Sequence, residues 1–165
     1  MYRSTLLGIC TLLAFVDAEP AAGQQRVDGM TFARMVTASD AFEVQSSQLA
    51  LQRSTNPRVR GFAQQMANDH SATSAALQQS APMLAAFSSP FGRLDPRHAG
   101  MLSQLSGLNG PSFERVYAQM QLAGHREAVA LFSSYARSGD DPRLVSFART
   151  TLPRLRNHLV MARRL

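Results

Sequence analysis

The sequence predicts an all-α protein, an antiparallel bundle of four helices. Three observations carry this reading. From Arg26 to the C-terminus apolar residues recur at three- and four-residue spacing. Proline and glycine interrupt that pattern at only a few places, namely Asn56-Pro57, Ser88 to Gly92, Gly107 to Pro111 and Gly139 to Pro142. With 45% hydrophobic and 17% charged residues over 165 positions, the chain can bury the core of one domain.

The first helix is expected over about 29–54. Phe32, Met35, Val36, Ser39, Phe42, Leu49 and Ala50 share one face, with Arg34, Gln45 and Gln52 opposite. Pro57 suits the first turn of the second helix, about 57–86, whose apolar row runs through Val59, Phe62, Ala63, Met66, Thr73 and Leu77. A connector follows, with room for a short helix over Pro96 to Leu105. The third helix, about 112–137, places Phe113, Val116, Tyr117, Met120, Leu131 and Tyr135 inward. The fourth, about 142–163, carries Leu144, Phe147, Ala148, Leu155 and Leu159 and should bend at Pro153, which removes one backbone bond. Helices one and two meet in a tight turn, as do three and four, while about 25 residues separate the pairs. Two antiparallel hairpins joined by one long crossover are the ferritin-like arrangement.

The hairpins resemble each other. Asn56-Pro57-Arg58-Val59-Arg60-Gly61-Phe62-Ala63 aligns with Asp141-Pro142-Arg143-Leu144-Val145-Ser146-Phe147-Ala148, as an internal duplication would. Methionines 35, 66 and 120 sit at core spacing and read as packing.

Ahead of this domain (27–165), residues 1–23 have the layout of a secretory signal peptide. Arg3 gives a positive start, Thr5 to Val16 is apolar, and a small, polar stretch ends at Gly23, with cleavage sites after Ala18, Ala22 or Gly23. An exported protein, periplasmic or associated with the outer membrane, is the expectation. Leu7-Gly8-Ile9-Cys10 lacks the small residue that a lipid-anchor signal needs before its cysteine. No apolar run reaches 18 residues, so no transmembrane segment is expected.

Cys10 is the sole cysteine, which excludes an intramolecular disulfide and a cysteine-based metal site. All 17 basic residues are arginine; without residues 1–23 the balance is 16 basic to 9 acidic side chains, or +7. Arg53, Arg58, Arg60, Arg143, Arg149, Arg154, Arg156, Arg163 and Arg164 are candidates for attracting anionic envelope polymers or lipid head groups. A plain solvated surface is the simpler account of the same residues. An exported protein without aromatic stacking platforms is not expected to bind nucleic acid. Nucleophile-elbow and phosphate-loop motifs are missing, so no catalytic residue is assigned.

Polar residues inside the apolar stripes are the informative ones. Glu43, His70 and His158 fall within the inward arcs of their helices, while His125 and Glu127 flank the third stripe from opposite sides, so periodicity does not choose between them. Glu43 precedes Asn56 by 13 residues and His70 follows it by 14; His125 precedes Asp141 by 16 and His158 follows it by 17. Antiparallel hairpins put all four at similar depth. Glu43, His70, His125 and His158 are therefore the candidate ligands of a single zinc, iron or manganese ion, with Asp69 and Glu127 as groups that could orient an imidazole. A hydrogen-bonded polar core is the competing account of the same residues. His98, in the connector, is expected to be solvated.

The chain resembles the bacterial exported proteins of "domain of unknown function 4142". The resemblance rests on Phe42-Glu43-Val44 with Leu49-Ala50, Val59-x-x-Phe62-Ala63-x-x-Met66 with Asp69-His70, Phe113-x-x-x-Tyr117, His125-x-Glu127-Ala128-Val129-x-Leu131-Phe132, and Phe147-Ala148-x-x-x-Leu152-Pro153-x-Leu155-x-x-His158-Leu159. It spans about residues 30–165 and implies a ferritin-like fold and an envelope location, without an activity. The wider ferritin-like group binds two metals through paired glutamates and Glu-x-x-His. Here Ala67 and Leu155 stand where the partner glutamates would be, which speaks against di-iron chemistry and for one ion or none. Three functions remain: an envelope protein with a single-metal site, a metal-free module that binds anions through arginine, and a metal-dependent redox or peroxide-protection enzyme.

Overall fold

Each hairpin helix begins where a side chain or a proline deals with amide hydrogens that a first turn leaves unbonded. The structure, a computed structural model, describes residues 27–82 and 93–165. Asp28 accepts from Thr31 N at 2.7 Å and opens α1 (Gly29–Arg53). Asn56 caps α2 (Pro57–Ser80), Asp95 caps α3 (Pro96–Ser106) and Asp141 caps α5 (Pro142–Ala162), each followed by a proline at the first position. In α4 (Gly110–Ser138) the proline comes one residue in, behind Gly110, whose φ of 53° favours glycine. The duplicated caps are thus equivalent in structure, and Val59, Phe62 and Ala63 are buried like Leu144, Phe147 and Ala148.

The four long helices form an all-α bundle. α1 packs on α2 and α4 on α5; across the hairpins α1 meets α4 and α2 meets α5. Phe32 near the start of α1 stacks on Tyr135 near the end of α4, whereas Arg53 at the end of α1 donates to the carbonyl of Leu108, just before α4. That pair is therefore antiparallel. Asp69 on His158 and Arg58 on the Arg164 carbonyl show the same for α2 and α5. The connection between the hairpins returns along the bundle, and its helix α3 lies on α1. Among the described residues no helix is long and apolar enough to cross a membrane.

Several boundaries differ from the sequence reading. The second helix ends at Ser80 instead of about 86, because Ala81 precedes Pro82 and a residue before proline is driven out of the helical region (φ −135°, ψ 66°). α4 starts two residues earlier than expected, and α5 continues through Pro153. Met35 is not core: it is 46% exposed, and only Met66 of the three methionines is fully buried. Val116, Met120, Leu131 and Leu159 are partly buried. The signal-peptide reading over 1–23, Cys10 and the connector at 88–92 lie outside the described residues.

At the α4–α5 turn, Tyr135 donates to Asp140 Oδ1 at 2.8 Å, and its ring lies against Gly139. A Cβ on residue 139 would sit 2.5 Å from that ring, which explains the glycine.

Two apolar clusters fill the bundle. One holds Phe32, Val36, Leu77, Phe132, Tyr135 and Phe147 at the end where α1 begins; the other holds Phe42, Val59, Phe62, Met66, Phe113 and Tyr117 towards the opposite end. Between them lies a buried polar layer that includes Asp40, Glu43, His70, Gln121, His125 and His158. Taking such groups out of water is costly unless each finds a partner.

Candidate metal centre

The polar layer draws one histidine from each of three helices. His70 on α2, His125 on α4 and His158 on α5 are 2%, 1% and 1% exposed. Their ring centres form a nearly equilateral triangle of 5.6, 5.4 and 5.4 Å. One donor nitrogen from each ring lies within 4.8 Å of the others. An ion about 2.1 Å from three ring nitrogens would hold the ring centres about 5.2–5.6 Å apart for bond angles of about 110–120°. The observed triangle fits.

Each ring is also fixed from outside. His70 Nδ1 donates to Asp40 Oδ1 at 2.7 Å, His125 Nδ1 to the Gln121 carbonyl at 2.8 Å, and His158 Nε2 to Asp69 Oδ2 at 2.8 Å. A carboxylate or carbonyl only accepts, so these contacts set the tautomers and leave His70 Nε2, His125 Nε2 and His158 Nδ1 as lone-pair donors. All three are buried without a hydrogen-bond partner. Oriented histidines with their second nitrogen free are the arrangement that metal sites use.

Glu43 on α1 supplies a fourth polar group. It is 2% exposed, and its Oε2 is likewise buried and unpartnered. Apart from Gln121 Oε1 and His98 Nδ1, which lies against Asp95, the buried side-chain polar atoms without a hydrogen-bond partner among the described residues are those of Glu43 and the three histidines. A satisfied polar core, the competing account, does not have that property. The close triad is made of the histidines alone, with Glu43 beside it on the side of Gly124.

Charge follows burial. Burial raises the Asp40 carboxyl, and although burial also opposes charge on His70, the Asp40 hydrogen bond and the Asp40, Glu43 and Asp69 charges hold that ring above the ordinary histidine range. A metal at His70 Nε2 therefore competes with a proton for that nitrogen. His125 is lowered, chiefly by burial. Burial, reinforced by His70 and His125, takes His158 down to about 4 against the pull of Asp69. The His158 ring therefore stays neutral in the metal-free protein until the pH nears 4, and the stability it contributes is full above 6.5 and lost as pH falls from 6.5 toward 4. NMR titration of the ring checks this; a midpoint at 6.5 or above contradicts it.

Asp40 was not legible as a site residue, although Val36 four positions before it marks the inward face. It also accepts from Ser74 at 3.1 Å. Asp40→Asn should weaken metal binding about 10–100-fold while leaving one site per chain, measured by competition with a chromophoric chelator. Asp69, 26% exposed, is placed to orient His158. Glu127 turns outward instead, and binds Arg97 of α3 through two 2.8 Å hydrogen bonds. His98 is not solvated: its side chain is 13% exposed, with its ring 5.4 Å from Phe42 and Nδ1 2.9 Å from Asp95. Leu155, where a bridging glutamate would stand in a two-metal site, is packed in the apolar core.

The family described as Domain of unknown function (DUF4142) matches residues 15–165. The chain belongs to this family. No curated protein matches it. Among solved structures, a DUF305 fragment from Deinococcus radiodurans is similar at a TM-score of 0.65 and 21% identity, over 87% of this chain and 96% of that one. At that identity the DUF4142 chain and the fragment share a fold, and the likeness carries nothing further.

Proposed function

We propose that this DUF4142 protein holds a single divalent transition-metal ion through His70, His125 and His158, with Glu43 beside it. The convergence of three buried, unpartnered imidazole nitrogens carries the reading. Three neutral nitrogens with a carboxylate nearby suit zinc, and also iron or manganese with an open position. Bound there, such an ion would supply Lewis acidity among buried side chains. The residues themselves hold, orient and shield it; no side chain is assigned a catalytic step, and the protein is read as a metal-binding envelope protein, with residues 1–23 as its export signal. Titrating the metal-free protein with Zn²⁺ against a chelator tests the site. One equivalent bound with release of protons supports it, and binding no tighter than to surface carboxylates rejects it.

A second reading concerns the arginine surface. Arg58 donates to the Arg164 carbonyl, which gathers Arg58, Arg163 and Arg164 at the end of the bundle that also holds the α1–α2 turn with Arg60. This cluster suits an anionic envelope polymer or lipid head group. Retention on anionic vesicles should be strong at low salt and lost at about 1 M, where screening acts within about 3 Å; no retention at low salt removes the idea.

A further inference from the structure

We infer that the cavity between α1, α3 and α4 is a pocket for a small neutral molecule with a hydroxyl head and an apolar body, an alcohol or phenol, whose head reaches the metal centre. This rests on the metal-centre reading above. The cavity has a volume of about 130 Å³, close to the ~150 Å³ that takes a benzene ring in an apolar protein interior.

Its floor is polar and its walls are mostly apolar, with Asp95, Arg97, His98 and Glu127 on the α3 side. Glu43 and His70 reach it, each 2% exposed and each with an unpartnered buried atom, Oε2 and Nε2. Val36, Phe42, Phe132 and Leu155 form apolar walls. An apolar pocket with a few convergent polar groups is the ordinary form of a small-molecule site. A hydroxyl can donate its proton to Glu43 Oε2 and turn its oxygen lone pair toward the ion beside His70.

Charge narrows the class. The ion's own charge is offset by the Asp40 and Glu43 carboxyl groups beside it, and the one arginine lining the cavity, Arg97, is engaged by both oxygens of Glu127, so no free guanidinium is offered to an anion. Gly124 lines the same wall in mid-α4, where a glycine weakens the helix. A Cβ there would make only an ordinary 3.4 Å contact with Glu43 Oε1. The residue therefore leaves space beside the carboxylate that a larger side chain would occupy.

The test is a phenol titration of the full chain, with and without one equivalent of zinc, followed by methyl NMR at Val36, Leu131 and Leu155. Saturable shifts at these methyls, at least tenfold tighter with zinc, are expected. Gly124→Leu should keep one zinc per chain and lose the shifts. Met35→Trp, at the exposed rim and clear of the core, should keep the fold and weaken phenol at least tenfold. Full zinc uptake without saturable shifts, or shifts that neither variant alters, overturns the pocket. Shifts that saturate and vanish in Gly124→Leu in a chain that takes up no zinc keep the pocket and overturn the metal reading.

Discussion

His125→Ala leaves a folded bundle that responds to zinc only weakly. His125 makes its one hydrogen bond to a carbonyl of its own helix, so truncation strands no partner side chain, and it removes a buried nitrogen that the metal-free protein leaves unsatisfied. Binding suffers far more, because one of three ligands is gone: a loss of at least about 100-fold is expected, beyond the 10–100-fold typical of an orienting residue. Free zinc at about 1,000 times Kd stabilises the unaltered protein by about 4.1 kcal/mol. For a domain of this size that raises Tm by about 8–16 °C. At about 100-fold weaker binding the same zinc is only about 10 times Kd and stabilises by about 1.4 kcal/mol, so calorimetry with and without zinc should show the full rise in the parent and at most about a third of it in His125→Ala. An equal rise in both places the metal elsewhere.

Phe32→Ala has the largest expected effect on stability. Phe32 is fully buried, stacked on Tyr135 at 4.0 Å and 11°, and set edge-on to Phe132 at 5.1 Å. It ties the start of α1 to the end of α4 and, through Phe147 at 6.3 Å, to α5. Truncating such a ring costs about 3–5 kcal/mol, since neighbours on two other helices cannot all close in. Denaturant unfolding should show a lower midpoint, while zinc stoichiometry stays at one because the ring lies in the apolar cluster beyond the polar layer. A loss under about 1 kcal/mol would mean that this end of the bundle repacks freely. Val160→Ala, 45% exposed, serves as the control and should change stability by less than about 0.5 kcal/mol.

The fold was legible because helix periodicity and stop signals are local. Asn56-Pro57 and Asp141-Pro142 announce caps that the structure builds, and the long crossover between hairpins implies the bundle. Errors arose where a local rule was missed, as with Ala81-Pro82, or where another element decides. Met35 lies on the apolar side of α1 yet stays half exposed at the rim of a cavity that α3 borders. His98 is drawn onto Phe42 because α3 lies on α1, which no spacing reveals.

The site was legible in depth more than in detail. Counting from the turns levelled Glu43 with His70 and His125 with His158, and the three imidazoles do meet. The choice between His125 and Glu127 depended on α3, whose Arg97 holds Glu127 outward. Asp40 and Gln121 were invisible because an acid or amide on a stripe reads as an interruption until its partner is known. The duplication does not extend to the site. The 85-residue offset that aligns the caps sets Leu155 against His70 and Thr73 against His158, so the three-histidine cluster is a departure from the twofold pattern.

Metal content by plasma mass spectrometry, on full-length protein purified without a histidine tag, tests the central claim most directly. The account predicts close to one zinc, iron or manganese per chain, lost in His70→Ala and His158→Ala variants that keep their helical content. Protein that carries no metal and stays empty after dialysis against these ions would contradict it, and would make the three inward histidines polar groups of the core.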